Sequence, residues 1–213
     1  MALISNTKGR GEDETASGYE RLFGNRQLGM LISKVQSATI STGSELEGFL
    51  ASRLKKTNGI SIHKINKDKR VFKDAKIDSA GKKHNLEVDC VIEREGKIML
   101  IEIKDGDTFD TKKVAGEIES LFMAKNFIIK TRKIKEENVS IHYCSFNARN
   151  HEQIEREAKG LLPKNSAMTG QELCELLGLD FNKIVEERKK HQKENLNFFI
   201  EELKKIPEIM NKL

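Results

Sequence analysis

Apolar positions fall in short periodic groups separated by charged stretches. Leu28, Met30, Leu31, Ile32 and Val35 predict a short helix, and Ser41-Thr42-Gly43 breaks the pattern. Ser44 to Lys56 predicts a second helix. Its stripe is Leu46, Phe49, Leu50 and Leu54, Ser44 and Glu47 stand at capping-box spacing, and Asn58-Gly59 is a stop signal. Ile60 and Ile62 alternate with Ser61 and His63 as a short strand. Two β-rich runs from Leu86 to Lys104 flank Arg94-Glu95-Gly96-Lys97, the pattern of a hairpin with glycine supplying a positive φ in its turn. An acidic loop, Asp105 to Asp110, leads into a helix from about Thr111, with Val114, Ile118, Leu121 and Phe122 on one face. Val139, Ile141 and Tyr143 alternate as a further strand, so strand, helix and strand imply a parallel crossover beside the hairpin. The remainder reads as helical. Thr169 and Glu172 repeat the capping-box spacing, Gly178 is a stop, and Leu196, Phe199, Ile200 and Leu203 form a last stripe before Pro207. Between them, Glu186 to Asn195 is almost wholly polar. Residues 1 to about 27, rich in Gly, Ser, Thr and charge, read as a loose arm or an irregular surface segment.

A two-residue turn at Glu95-Gly96 fixes the hairpin register. Arg94 then faces Lys97, Ile92 faces Met99, Cys90 faces Ile101 and Val88 faces Ile103, giving one continuous apolar face. The other face opposes Val91 to Leu100, Asp89 to Glu102 and Glu87 to Lys104. Directly opposed side chains have Cβ atoms about 4.5–5.5 Å apart, and like charges so placed repel. A divalent cation would turn that repulsion into ligation, because Mg²⁺ takes one or two carboxylates and completes its shell with water and substrate phosphate. Lys104 lies two residues beyond Glu102 on the same face, where it could orient a water or neutralise a phosphate. The bland reading is an exposed charged face with an incidental Glu87–Lys104 pair.

Composition adds a partner class. The chain has 213 residues, 33% of them charged, and a formal net charge of +5, which favours a polyanion. Residues 64 to 83 hold eight basic side chains against three acidic ones, a local excess equal to that of the whole chain. Lys67, Lys69, Arg70, Lys82 and Lys83 are therefore candidate phosphate contacts, the alternative being a solvated face. Cys90, Cys144 and Cys174 form no CxxC pair and fit reduced thiols in a cytoplasmic protein. No signal peptide or membrane-spanning run is visible. No P-loop or dinucleotide fingerprint appears, so a nucleotide cofactor is not expected. His63, His84, His142, His151 and His191 show no metal-ligand spacing. Two Tyr and no Trp argue against a stacking platform for single strands.

Val88-Asp89-Cys90-Val91-Ile92 followed by Ile101-Glu102-Ile103-Lys104 resembles the motif of the PD-(D/E)XK nuclease superfamily, which includes type II restriction enzymes and Holliday-junction resolvases. Val88 stands where the proline of the motif name would be. The resemblance implies Asp89 and Glu102 as ligands of Mg²⁺, or another divalent ion such as Mn²⁺, and Lys104 as the catalytic lysine. It also implies an α/β (α+β) fold: a mixed-sheet, restriction-endonuclease-like core ordered αβββαβ, here with extra helices at both termini. In several family members a glutamate of the first helix joins the metal site. Gly43-Ser44-Glu45-Leu46-Glu47 resembles that segment with Glu47 in the matching place; the alternative is that Glu47 only caps its helix with Ser44.

The expected organisation is an N-terminal arm and short helix over 1–43, a nuclease core over 44–150 and a C-terminal helical region over 151–213. The leading expectation is a magnesium-dependent restriction endonuclease acting on double-stranded DNA, with Lys112, Lys113, Arg149 and Asn150 on plausible DNA-side loops. A structure-specific or repair nuclease on the same core is the second reading, and a non-catalytic DNA-binding module the third. A homodimer would supply the two active sites that a duplex requires. Leu28 to Val35 and the Leu196–Leu203 stripe could pack across its two-fold axis or simply cover the chain's own core.

Overall fold

A computed structural model describes residues 1–9, 18–54, 61–63, 70–106 and 111–211. In chain order the elements are α1 (Gly18–Phe23), α2 (Arg26–Arg53), β1 (Ser61–His63), β2 (Arg70–Ile77), β3 (Lys83–Val88), β4 (Cys90–Arg94), β5 (Lys97–Lys104), α3 (Thr111–Arg132), β6 (Val139–Ser145), α4 (His151–Glu157), β7 (Ala167–Thr169), α5 (Gly170–Leu177), α6 (Phe181–Lys204) and α7 (Pro207–Met210). The chain divides into two compact units, Met1–Glu45 with Asn182–Leu213, and Leu46–Phe181.

The second unit carries a mixed five-stranded sheet in the order β1-β4-β5-β6-β7 and a two-stranded sheet of β2 and β3. Strands β1, β4 and β5 run antiparallel, whereas β6 and β7 continue in parallel with β5. Helix, three antiparallel strands, helix and parallel strand follow one another as the αβββαβ order anticipates, with the β2–β3 hairpin inserted. The fold is α+β.

The hairpin of β4 and β5 closes through Glu95 and Gly96, both at positive φ (51° and 76°), the geometry of a turn whose twist matches its strands. The expected register is present from Arg94↔Lys97 to Cys90↔Ile101 and ends there. Val88 instead pairs with Arg70 and Glu87 with Val71, so the expected Val88–Ile103 and Glu87–Lys104 oppositions do not form. The chain bends at Asp89, which belongs to neither strand.

Both faces of the hairpin are buried. Val91 and Leu100 join Leu121, Ala124 and Ile128 of α3 in one cluster. Cys90, Ile92, Ile101 and Ile103 on the opposite face are also inaccessible. The stripe of α3 is Val114, Ile118, Leu121, Ala124 and Ile128; Phe122, expected on that face, is 40% exposed.

Further expectations are corrected, and the basic run gains a structure. The chain does not break at Ser41-Thr42-Gly43, because α2 runs unbroken for 28 residues. The Ser41 and Thr42 hydroxyls donate to the carbonyls of Ser37 and Ala38 at 2.9 Å, which satisfies them inside the helix and removes their reason to stop it. Ser44 is consequently not an N-cap. The basic run forms a hairpin from Arg70 onward, with Asp78 accepting from the N–H groups of Ala80 and Lys82 across the turn. Residues 1–9 are tied down rather than a loose arm: in the first unit Ile4 N–H donates to Asn195 Oδ1 at 2.8 Å and Asn195 Nδ2 donates to Ala2 O at 2.7 Å. Ala2, Ile4, Val35, Ala38 and Phe198 pack together there. The docking face of α6 therefore uses Asn195 and Phe198, whereas Leu196 and Ile200 of the expected stripe are 59% and 40% exposed. The capping box at Thr169 and Glu172 and the left-handed stop at Gly178 (φ 68°) form as expected.

Candidate active site

The bend at Asp89 follows from its side chain. Asp89 Oδ2 accepts the N–H of Ile103 at 2.9 Å, where a straight ladder would offer a backbone carbonyl. With that donor satisfied by a side chain, the chain leaves β5 and turns toward β2. Asp89 is only 2% exposed. Glu102 lies on the α3 side of β5, 13% exposed at its side chain, and Lys104 follows on the same side. Asp89 and Glu102 are largely covered, because both hairpin faces are packed.

Lys104 Nζ stands 2.7 Å from Glu102 Oε1 and 2.7 Å from Glu117 Oε1. The second oxygen of Glu117 accepts the Tyr143 hydroxyl at 3.1 Å. β6 is paired in parallel with β5, Glu102 opposite Tyr143 and Lys104 opposite Ser145, which sets these groups side by side. Beyond the strand ends, Phe146 N–H donates to Lys104 O at 2.8 Å and Ser145 Oγ donates to Gly106 O at 2.9 Å. Asn147 Nδ2 donates to the carbonyl and the carboxylate of Asp105. These bonds tie the chain leaving the lysine to the end of β6.

Electrostatics are consistent with this crowding. Burial and then the negative charge of Asp89 push the Glu102 carboxyl up to about 7, against the pull of Lys104. Burial alone would lower the pKa of Lys104, but Glu102 and Glu117 outweigh it and raise it above the ordinary range. Burial, reinforced by Glu117, raises Tyr143. Two repelling carboxylates, one with a raised pKa, are a donor set suited to a hard divalent cation, which would supply the missing positive charge. Among the described residues no group of three or more His, Cys, Asp or Glu side chains is assembled as a metal cage.

The structure thus joins Asp89, Glu102 and Lys104. Glu47 is buried on α2, 6% exposed, about six turns from that helix's start rather than at a cap. Lys67 and Lys69 lie outside the described residues, and Arg70 opens β2. Lys82 and Lys83 are exposed at the β2–β3 turn, Lys83 within 3.5 Å of Asp74. Lys112 and Lys113 fall in the first turn of α3, and Arg149 is exposed before α4. The side chain of Asn150 accepts the N–H of Gln153 at 2.9 Å as the N-cap of α4. Sequence reasoning missed Glu117 and Tyr143. Glu117 was legible as a carboxylate inside the stripe Val114–Ile118–Leu121, three residues after one apolar position and four before another. Tyr143 was read only as a strand position.

No profile of a known protein family matches the chain, and no solved structure matches it. Type II restriction enzyme HhaII from Haemophilus parahaemolyticus is 34% identical, over 98% of this chain and 96% of that protein. Identity at that level along nearly the whole of both chains places the two in one family: the chain belongs to the type II restriction enzymes.

Proposed function

We propose that the protein is a magnesium-dependent endodeoxyribonuclease that hydrolyses both strands of duplex DNA at a specific sequence, on a PD-(D/E)XK-type site. The observation that carries this reading is the cluster of Asp89, Glu102 and Lys104 at the bend of β4 and the end of β5. Membership of the type II restriction enzymes supports it and disfavours a repair nuclease or a non-catalytic module.

Asp89 and Glu102 hold the cation, and Glu47, a second buried carboxylate, is the candidate for an additional ligand. Bound Mg²⁺ supplies Lewis-acid polarisation of a phosphoryl oxygen and a more acidic water. Lys104 donates from Nζ to the attacking water or to the phosphate, within reach of the carboxylate that orients it. The Asp89–Ile103 hydrogen bond fixes the carboxylate at the backbone, so the ligand is positioned before a substrate arrives. Lys67, Lys69, Arg70, Lys82 and Lys83 contact phosphates, as do Lys112, Lys113 and Arg149. Asn150 is a weaker candidate because capping α4 already uses its oxygen.

The working unit is a homodimer in the cytoplasm. Each chain carries one such cluster and a duplex has two scissile strands, so a two-fold pair matches a palindromic site. The first unit exposes Ile40, Leu196 and Ile200, apolar surface of the kind such an interface buries.

Digestion of several plasmids with Mg²⁺ tests the reading. Discrete bands are expected, identical across preparations and lost with a chelator. A smear would mean a non-specific nuclease, and intact plasmid at every divalent ion tried would refute the activity.

A further inference from the structure

Resting on the proposed role of Lys104, we infer that Glu117, anchored by Tyr143, is a positioning residue that holds the Lys104 ammonium in place when Glu102 turns its carboxylate to a cation. The problem it solves is visible in the contacts. Glu102 Oε1 lies 2.7 Å from Lys104 Nζ, yet the same carboxylate is the proposed metal ligand. A carboxylate that shares its charge with a divalent cation has less left for an ammonium, and the cation itself repels one. A lysine held by Glu102 alone would swing away as the metal enters.

Glu117 provides a tether from another element. It comes from α3 rather than β5, and its Oε1 lies 2.7 Å from the same Nζ. Its Oε2 accepts the hydroxyl of Tyr143, a residue 1% exposed on β6. Each oxygen of Glu117 therefore has one assigned partner, and the carboxylate plane is fixed by a rigid strand. An ammonium has three N–H donors. Among the described residues two are directed at carboxylates, which leaves one for a water or a phosphate oxygen. Lys104 and Glu117 are 30% and 25% exposed at their side chains, so solvent partly screens their pair.

The test combines cleavage with a direct observation of the Lys104 ammonium. Single-turnover cleavage by Glu117→Ala should fall roughly 30- to 100-fold, the range expected when a catalytic group is displaced by about an ångström. DNA affinity measured in Ca²⁺ should be unchanged. Glu117→Gln, which keeps an acceptor for Lys104, should recover part of the rate, and Tyr143→Phe should lose a smaller fraction. In a Lys104→Ala background, Glu117→Ala should cause no further loss, because it acts through the lysine. The ¹⁵N signal of the Lys104 ammonium, recorded with Ca²⁺ bound, should broaden or vanish in Glu117→Ala, whereas without metal Glu102 still holds it at 2.7 Å and the signal should persist. Losses that multiply in the double variant, or an ammonium signal in Ca²⁺ unchanged by Glu117→Ala, would overturn the inference. So would full cleavage by Glu117→Ala and Glu117→Gln while Lys104→Ala is inactive, an outcome that leaves the proposed function standing. Wild-type cleavage by Lys104→Ala would overturn both.

Discussion

Glu102→Gln should destroy cleavage and make the metal-free protein more stable at alkaline pH. The Glu102 carboxyl is raised from an ordinary 4.5 to about 7 by burial and by Asp89. Each tenfold change in acidity is about 1.4 kcal/mol, so ionising this group in the folded protein costs about 3 kcal/mol more than in the unfolded chain. The sign follows from the raised value. The folded protein holds the proton more tightly, so the stabilising contribution is complete below about pH 4.5 and is lost as pH rises toward 7. Glutamine has the shape of the protonated acid and cannot ionise. The attraction of Lys104 is already part of the value of about 7, and Lys104 keeps Glu117 at 2.7 Å; what offsets the gain is the imperfect match of an amide to the hydrogen bonds of the acid. The net gain at pH 8 should be about 1–2 kcal/mol, or roughly 2–8 °C in Tm for a chain of this size. Melting curves of both proteins in chelator from pH 5 to 8.5 give the answer. Their difference should be small or reversed at pH 5, favour the variant at pH 8, and shrink again when Mg²⁺ is added to the wild type. A variant less stable at pH 8, or a difference that does not change with pH, would refute the account of Glu102 as a carboxylate held under repulsion.

Asp89→Ala should lose cleavage and about 1–3 kcal/mol of stability, because it strips the acceptor from the buried N–H of Ile103; Asp89→Asn should lose cleavage with less effect on denaturant midpoint. An Asp89→Ala protein as stable as wild type would show that the bond has no structural weight. Gly170→Ala should cost about 1–3 kcal/mol or prevent folding, since an added Cβ would sit 2.2 Å from Phe146 O, and equilibrium unfolding measures it. Neutralising Lys67, Lys69 and Arg70 together should weaken binding to all DNA sequences alike and flatten the salt dependence by up to about 0.9 per lost contact; an unchanged slope would return the segment to a solvated surface. Cys90, Cys144 and Cys174 are buried and burial raises their thiol pKa values, to about 12 for Cys90 and Cys174, so a thiol reagent at pH 8 should label them only as the protein unfolds.

The hairpin shows what the sequence alone determined. The two-residue turn at Glu95-Gly96 set which residues face each other from Arg94–Lys97 to Cys90–Ile101, because loop length and turn type fix the register of a hairpin. That register brought Asp89, Glu102 and Lys104 to one end, and the spacing of strand, helix and strand set the parallel crossover. Caps behave likewise: Thr169, Glu172 and Gly178 act through bonds within a few residues, so local sequence suffices. The tertiary structure decided what depends on distant partners. Whether Ser41-Thr42-Gly43 stops a helix rests on packing along α2, where Leu31, Ala38, Leu46 and Leu50 are buried on both sides of the weak point and override its propensity. The departure of β3 from β5 at Asp89 depends on a side chain replacing a ladder acceptor fourteen residues away. The partnership of Lys104 with Glu117 and Tyr143 joins three elements that only the folded sheet and its covering helix bring together. Alternation along one chain reveals which residues share a face, but which charge meets which across a core is settled by the neighbours that the fold supplies.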